Sequence, residues 1–111
     1  MKTLCLALLT ICSFSKPALA LDAEQQRGKA LLEKMCGQCH AIGEKGASPH
    51  VDAPPFRNFG EDKLYDNDFG QRLQDGLTTI HPDMPTFRFT RTEAEATVNY
   101  LKAIQEPRKQ K

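Results

Sequence analysis

The chain has 111 residues, of which 40% are hydrophobic, with 15 basic residues, 14 acidic residues and no tryptophan. This length suffices for one domain. The near-zero net charge excludes the strongly basic surface that is typical of nucleic-acid-binding proteins, so we expect no nucleic-acid partner. The same balance provides no strong field for steering a charged partner.

The first 20 residues have the pattern of a secretory signal peptide. A short basic start at Met1-Lys2 precedes an apolar run from 3 to 14, and Ala18-Leu19-Ala20 supplies the small residues of a cleavage site. We therefore expect cleavage after Ala20, export to the periplasm and a mature domain over residues 21–111. Because the apolar run is short for a membrane span, we expect no stable membrane insertion after cleavage.

Loss of this leader would change the composition of the chain. Two of the four cysteines, Cys5 and Cys12, would leave with it, and the two that remain argue against a disulfide framework. Without Lys2 and Lys16, 13 basic residues would face 14 acidic ones, a net charge of about −1. The mature protein should therefore be close to neutral.

The first predicted helix extends from Ala23 to about Met35. Asp22 can cap it, and Gln25 follows three residues later in the capping-box position. Gly28 interrupts the helix at a cost of about 1 kcal/mol relative to alanine, which suggests that another helix crosses closely at that point. The predicted apolar positions are Ala23, Ala30, Leu31, Leu32 and Met35.

This helix leads directly into Cys36-Gly37-Gln38-Cys39-His40, the C-x-x-C-H pattern for covalent attachment of a c-type haem. Two thiols at this spacing can add to the two vinyl groups on one porphyrin edge, and His40 then directs a nitrogen at the iron. A thioredoxin-like redox pair would not need the histidine, and a zinc site would need further ligands at suitable spacing. We therefore predict one haem c, bound through Cys36 and Cys39.

A buried haem would also supply apolar mass to a small domain. About 91 mature residues bury proportionally less surface than a larger chain does, and the aromatic content is modest. We therefore expect the haem-free chain to be poorly folded.

The middle of the chain alternates between loop and helix. Glycines and prolines make 41–59 loop-like, and a long irregular stretch in a small domain is usually functional or disordered. A short helical turn is predicted near Glu61–Leu64 and a helix near Asp66–Asp75, with Gly76 as its natural stop. Their predicted buried side consists of Leu64, Phe69, Leu73 and Leu77.

The last predicted helix is the clearest element. It follows a loop over 77–89, and Thr90 is its N-cap, with Glu93 in capping-box register. Apolar residues then recur at helical spacing up to Ile104 or Gln105. The basic tail from Arg108 to Lys111 should be a solvated end. We predict no repeats and no strand.

At this point the chain resembles the class I, monohaem c-type cytochromes over essentially its whole mature length. Ala53-Pro54-Pro55-Phe56 is similar to the family's Pro-x-Leu segment, Asp83-Met84-Pro85-Thr86-Phe87 resembles its M-P-x-F ligand loop, and Val98-Asn99-Tyr100-Leu101 resembles its final helix. The opening motif of the family is matched by Gly28, Leu32, Cys36, Cys39 and His40.

The resemblance implies an all-α cytochrome c fold, with four to five helices around one covalently attached haem. It implies that the first and last helices cross near Gly28 and Tyr100. It also implies that the Pro54 carbonyl accepts a hydrogen bond from His40 Nδ1, which would orient the ring and raise its basicity.

Met84 is the predicted sixth iron ligand. It lies between Pro82 and Pro85 in a short loop, where an ordinary helix-core role is unfavourable. A methionine ligand raises the reduction potential relative to a second histidine. His81 and His50 compete for this role, and His81 otherwise suits a surface position or one beside a propionate.

Two strong axial ligands leave no open position on the iron, so we expect an electron carrier and no enzyme. We also expect a monomer. It would transfer single electrons between redox partner proteins, and Lys34 and Lys45 are predicted to rim the docking surface. Two alternatives stay open: a haem subunit of one dehydrogenase or oxidase, and a haem enzyme or gas sensor in which Met84 dissociates.

Overall fold

The computed structural model describes residues 20–77 and 81–105. The predicted signal peptide, apart from Ala20, and the basic tail lie outside the described residues. Those described form four α-helices and one 3₁₀ turn without any β-strand, which confirms the all-α prediction. In chain order they are α1 (Ala23–Cys36), the 3₁₀ turn (Phe56–Asn58), α2 (Glu61–Tyr65), α3 (Asn67–Asp75) and α4 (Arg91–Ile104).

Both long helices begin with a complete capping box. In α1 the Asp22 carboxylate accepts from the Gln25 backbone, and the Gln25 side chain accepts from the Asp22 backbone. Thr90 and Glu93 make the same reciprocal pair at the start of α4. Each box pairs two N–H groups that a helix start otherwise leaves open, so both starts lie where the sequence predicts.

The two long helices, α1 and α4, make the most extensive contact between helices. Gly28 is buried at this contact, and a Cβ added to it would lie 2.1 Å from the Ala96 carbonyl oxygen. The crossing is therefore centred on Ala96, one turn before Tyr100. The Tyr100 hydroxyl instead donates to the Ile42 carbonyl at 2.9 Å, and this bond joins the loop over 41–59 to α4.

The buried face of α1 is narrower than predicted. Gly28 and Leu32, four residues apart, are its buried positions, whereas Ala23 and Ala30 are exposed. The prediction for these two alanines is wrong because α4 covers a single stripe of α1, and alanine is tolerated on a solvated helix face.

The loop over 41–59 is ordered by contacts from both sides. Phe56 N–H donates to the Ala41 carbonyl at 3.1 Å, so the loop closes on itself. From the end of α4, the Gln105 amide donates to the Phe56 carbonyl at 2.8 Å and accepts from Gly60 N–H at 2.8 Å. The Gln105 amide, which is distant in sequence, thus holds the 3₁₀ turn in place at the end of α4.

The core gathers side chains from every element. Leu64, Phe69 and Leu73 are buried as predicted, and Leu77 packs partly buried against them. The remaining members of this cluster are Leu32, Ile42, Phe56, Phe89, Ala94, Tyr100, Leu101 and Ile104. Part of this cluster also lines a cavity: Leu32, Phe56, Phe69, Leu73, Leu77, Phe89 and Leu101.

Candidate functional site

The main cavity has a volume of about 510 Å³, within the range of ordinary ligand pockets. Its wall is mostly apolar and takes residues from α1, both loops, α3 and α4. Cys36, Cys39, His40 and Met84 all line it. One cavity therefore brings together the haem motif and the predicted sixth ligand, which lie more than 40 residues apart in the chain.

The haem motif is shaped by the end of α1. Cys36 is the last residue of this helix, and its carbonyl accepts from Cys39 N–H at 3.1 Å and from His40 N–H at 2.9 Å. These bonds fold 36–40 into a tight turn against the cavity. Neither cysteine forms a disulfide, and both are half-buried.

The His40 ring is held on two sides. Its Nδ1 lies 2.8 Å from the Pro54 carbonyl oxygen, the contact that the family resemblance implies. Its ring centroid lies 4.5 Å from that of Phe56, at an interplanar angle of 34°. With Nδ1 donating to a carbonyl, the neutral ring keeps the lone pair of Nε2 for a metal.

Met84 lines the cavity from the loop that precedes α4 and is half-buried. Its backbone N–H donates to the His81 carbonyl at 3.3 Å, a turn within the loop itself. Met35, predicted as helix packing, also reaches the cavity wall while packing partly buried against the core.

The competing histidines meet at the cavity rim. His50 and His81 both line the cavity, and their ring centroids are 5.9 Å apart in an edge-to-face arrangement. His50 Nε2 lies 3.8 Å from the Asp83 carboxylate, so this ring bridges the loop over 41–59 and the Met84 loop. No cluster of three or more metal-ligating His, Cys, Asp or Glu side chains occurs among residues 20–77 and 81–105.

Comparison with known proteins decides the family. The family described as cytochrome c matches residues 25–105, which contain the whole cavity. The chain belongs to the cytochrome c family. It is also 30% identical over 104 residues to the cytochrome c-552 of Bradyrhizobium diazoefficiens, covering 94% of each chain. No solved structure matches the chain significantly.

Membership confirms the predicted cofactor and the general role. Cytochromes c bind haem covalently through a cysteine pair and carry electrons rather than catalyse a reaction, and this chain has its pair at Cys36 and Cys39. The donor set of the cavity fits that group: two thiols at the required spacing, an oriented imidazole and an apolar wall. None of the helices in the part of the chain described has the length and hydropathy needed to cross a membrane.

The Cys36 thiol lies in surroundings that favour its protonated form. Burial, and to a smaller extent the neighbouring Cys39, raise the pKa of the Cys36 thiol to about 11. Before haem is attached, Cys36 therefore keeps its thiol proton at neutral pH. On attachment, Cys36 would supply both the sulfur and a hydrogen that add across a vinyl double bond, so this proton need not be lost to solvent overall.

The structure adds wall residues that the sequence did not identify as part of the site. Phe87 and Phe89 follow the M-P pair at alternate positions and both line the cavity. Lys63 and Arg72 bring positive charge to the wall, with the Arg72 guanidinium carbon 5.9 Å from the centre of the Phe69 ring. The alternation M-P-x-F-x-F could have predicted the two phenylalanines. Lys63 and Arg72 could be assigned to the wall only from the positions of α2 and α3 in the structure.

Proposed function

We propose that this cytochrome is exported to the periplasm and carries single electrons between redox partners, with His40 and Met84 as the axial ligands of one haem. The observation that carries the proposal is the cavity itself. It is lined by both thiols, by an imidazole oriented through Pro54 and by Met84 from the loop that precedes α4.

Each residue has a definite task in this proposal. Haem, when bound, supplies the one-electron change at iron. Cys36 and Cys39 hold it covalently, and the hydrogen bond from His40 Nδ1 to Pro54 orients the imidazole and raises its basicity. The Met84 sulfur favours the ferrous state and so raises the reduction potential.

The surrounding wall controls water and charge. Phe56, Phe69 and Phe89 are at most 6% exposed and keep water away from the interior of the cavity. A dry, apolar wall strengthens electrostatic interactions within the site. Lys63 and Arg72 bring the cationic groups that suit the carboxylates of the haem propionates.

The first test is the absorption spectrum of the mature protein in both oxidation states. Oxidised haem shows a weak far-red band when a methionine sulfur is bound to the iron. We expect this band in the wild type, its loss in Met84→Ala and its retention in His81→Ala. A band that persists in Met84→Ala would assign the sulfur to another methionine, such as Met35, which also lines the cavity. Covalent haem without any far-red band would favour an open or histidine-bound site.

We place partner docking at the surface rimmed by Lys34 and Lys45, both of which are exposed. Lys34 is in the last turn of α1, next to the haem motif. Charge reversal at both lysines should slow electron transfer to the physiological partner. Reversal at Arg91, exposed at the start of α4, is the matched control. Equal rates in all three proteins would place docking elsewhere.

Export is tested by sequencing the N-terminus of the protein recovered from the periplasmic fraction. A mature chain that begins at Leu21 is the expected result. A protein that retains Met1 and stays in the cytoplasm would overturn the proposed location.

A further inference from the structure

The segment that carries Met84 is bound to the end of α3. Phe89 N–H donates to the Leu73 carbonyl at 2.9 Å. Leu73 lies among the last four residues of α3, whose carbonyls have no partner within the helix. The two side chains are 6% and 4% exposed, so this bond joins the segment to the helix within the core.

Gly76 lies at the point where α3 stops and this segment passes. Its φ of 102° and ψ of 104° form a backbone conformation that L side chains rarely adopt. A Cβ at this position would lie 3.2 Å from Thr86 Cγ2 and 3.3 Å from Arg88 Nε. The absence of a side chain therefore allows both the turn and the close approach of 86–88.

We propose that Gly76 is a positioning residue for Met84. Because Gly76 has no side chain, the segment 84–89 packs against the end of α3, and this packing holds the Met84 sulfur at the iron. The inference rests on the proposed role of Met84 as the sixth ligand. Gly76, Thr86 and Arg88 are not part of the cavity wall described above. Gly76 therefore acts through the segment and not by touching the cofactor.

An alanine at position 76 would be strained as long as the segment 84–89 packs against the end of α3. Strain of this kind favours an alternative state in which the segment lifts and the backbone relaxes. We expect the population with Met84 detached to rise by roughly tenfold or more in Gly76→Ala. Loss of the methionine ligand also lowers the reduction potential.

The experiment compares haem-loaded wild type, Gly76→Ala, Met84→Ala and two matched glycine variants. Gly46 also has a positive φ, of 93°, but a Cβ there would meet nothing within 4 Å. Gly70 lies within α3 and likewise has open space around an added Cβ. Gly46→Ala therefore controls for backbone strain alone, and Gly70→Ala controls for the substitution within the same helix.

The readouts are the far-red band of the oxidised protein, the reduction potential and the rate of carbon monoxide binding to the reduced protein. We expect Gly76→Ala to bind carbon monoxide about tenfold faster than wild type, with a weaker band and a lower potential. The two control variants should match the wild type. If Gly76→Ala also matches the wild type while Met84→Ala changes all three, Gly76 has no positioning role although Met84 is the ligand. If Met84→Ala changes none of them, the proposed ligand itself is wrong.

A second measurement needs no substitution at Gly76. Coupling between two sites is reciprocal, so removing the iron–sulfur bond should weaken the packing of the segment 84–89 against α3. In Met84→Ala the Phe89 amide should exchange with solvent roughly tenfold faster than in wild type. The Ala94 amide, which donates to Thr90 in the first turn of α4, should keep its rate. Unchanged exchange at Phe89, or equal acceleration at both amides, would overturn the inference.

Discussion

The two sides of the cavity are held by different kinds of contact. On the His40 side, the cysteines and the histidine occupy five consecutive residues at the end of a capped helix, and short-range bonds to the Cys36 carbonyl shape their turn. On the Met84 side, the loop that carries Met84 makes a bond within itself and is joined to α3 through Phe89 and Leu73. The first side depends mainly on local structure, whereas the second depends on a distant helix end.

This difference indicates which side should open first. Local bonds re-form quickly and survive partial unfolding, whereas a loop with few buried contacts opens at low free energy. Covalent attachment also retains the haem on the cysteine side when the other side opens. We therefore expect the Met84 loop to be the first part of the site to detach under mild stress.

Replacement of both Cys36 and Cys39 by serine gives the largest expected effect, because it removes the covalent attachment of haem on the His40 side. Without haem, the cavity of about 510 Å³ leaves the core side chains facing an unfilled space. We expect loss of covalently bound haem on a denaturing gel and loss of most helical circular dichroism in the haem-free chain. A haem-free protein with a cooperative, high-temperature transition would contradict the dependence of the fold on the cofactor.

Gly28→Ala tests the helix pair that supports both sides. The added Cβ would lie 2.1 Å from the Ala96 carbonyl oxygen and 2.9 Å from the Thr97 backbone nitrogen, so α1 and α4 must move apart. Overpacking of this kind costs about 1–3 kcal/mol in the free energy of unfolding. Urea denaturation of the haem-loaded protein measures the loss.

The control for Gly28→Ala is Gly70→Ala, where an added Cβ has open space within α3. This variant should be neutral or stabilised by up to ~1 kcal/mol, because alanine favours the helix over glycine. The far-red band at zero denaturant should persist in both variants. Its selective loss in Gly28→Ala would show that the Met84 side also depends on the helix crossing.

Tyr100→Phe has the smallest expected effect on the haem site, because its hydroxyl contact is with the Ile42 carbonyl on the His40 side. It leaves the Ile42 carbonyl without the hydroxyl that donates to it, at a cost of about 1–3 kcal/mol. Urea unfolding should show this loss, whereas the far-red band and the rate of carbon monoxide binding should stay at wild-type values. A change in either of these would mean that the two sides are coupled through Tyr100.

The same variant has a pH signature. Burial raises the pKa of Tyr100, and Glu33 and Glu44 raise it further, so the folded protein holds the phenolic proton more tightly than the unfolded chain does. The resulting stabilisation is complete below the unfolded pKa of about 10 and is lost as the pH rises through the folded pKa. Wild-type stability should therefore fall more steeply above about pH 10 than that of Tyr100→Phe, as measured by urea unfolding at several pH values. Parallel curves would contradict this assignment.

Several features of the site could be predicted because their causes are close together in the sequence. Capping boxes at Asp22 and Thr90 determine where α1 and α4 begin, because the pairing groups are three residues apart. Gly76 was correctly predicted as the stop of α3 from composition alone. Its closeness to Thr86 and Arg88 could not be predicted, because nothing in a linear pattern indicates which later residues return to a helix end.

By itself, the sequence determined the covalent haem motif, the all-α class and the ends of the long helices, since each depends on residues within one or two helical turns. The tertiary structure decided that Gly28 faces Ala96, that Gln105 fixes the 3₁₀ turn and that Phe89 joins the Met84 segment to α3. These contacts form between segments brought together by burial of the shared core around the cavity. Their partners were therefore decided by packing in three dimensions and not by local propensity.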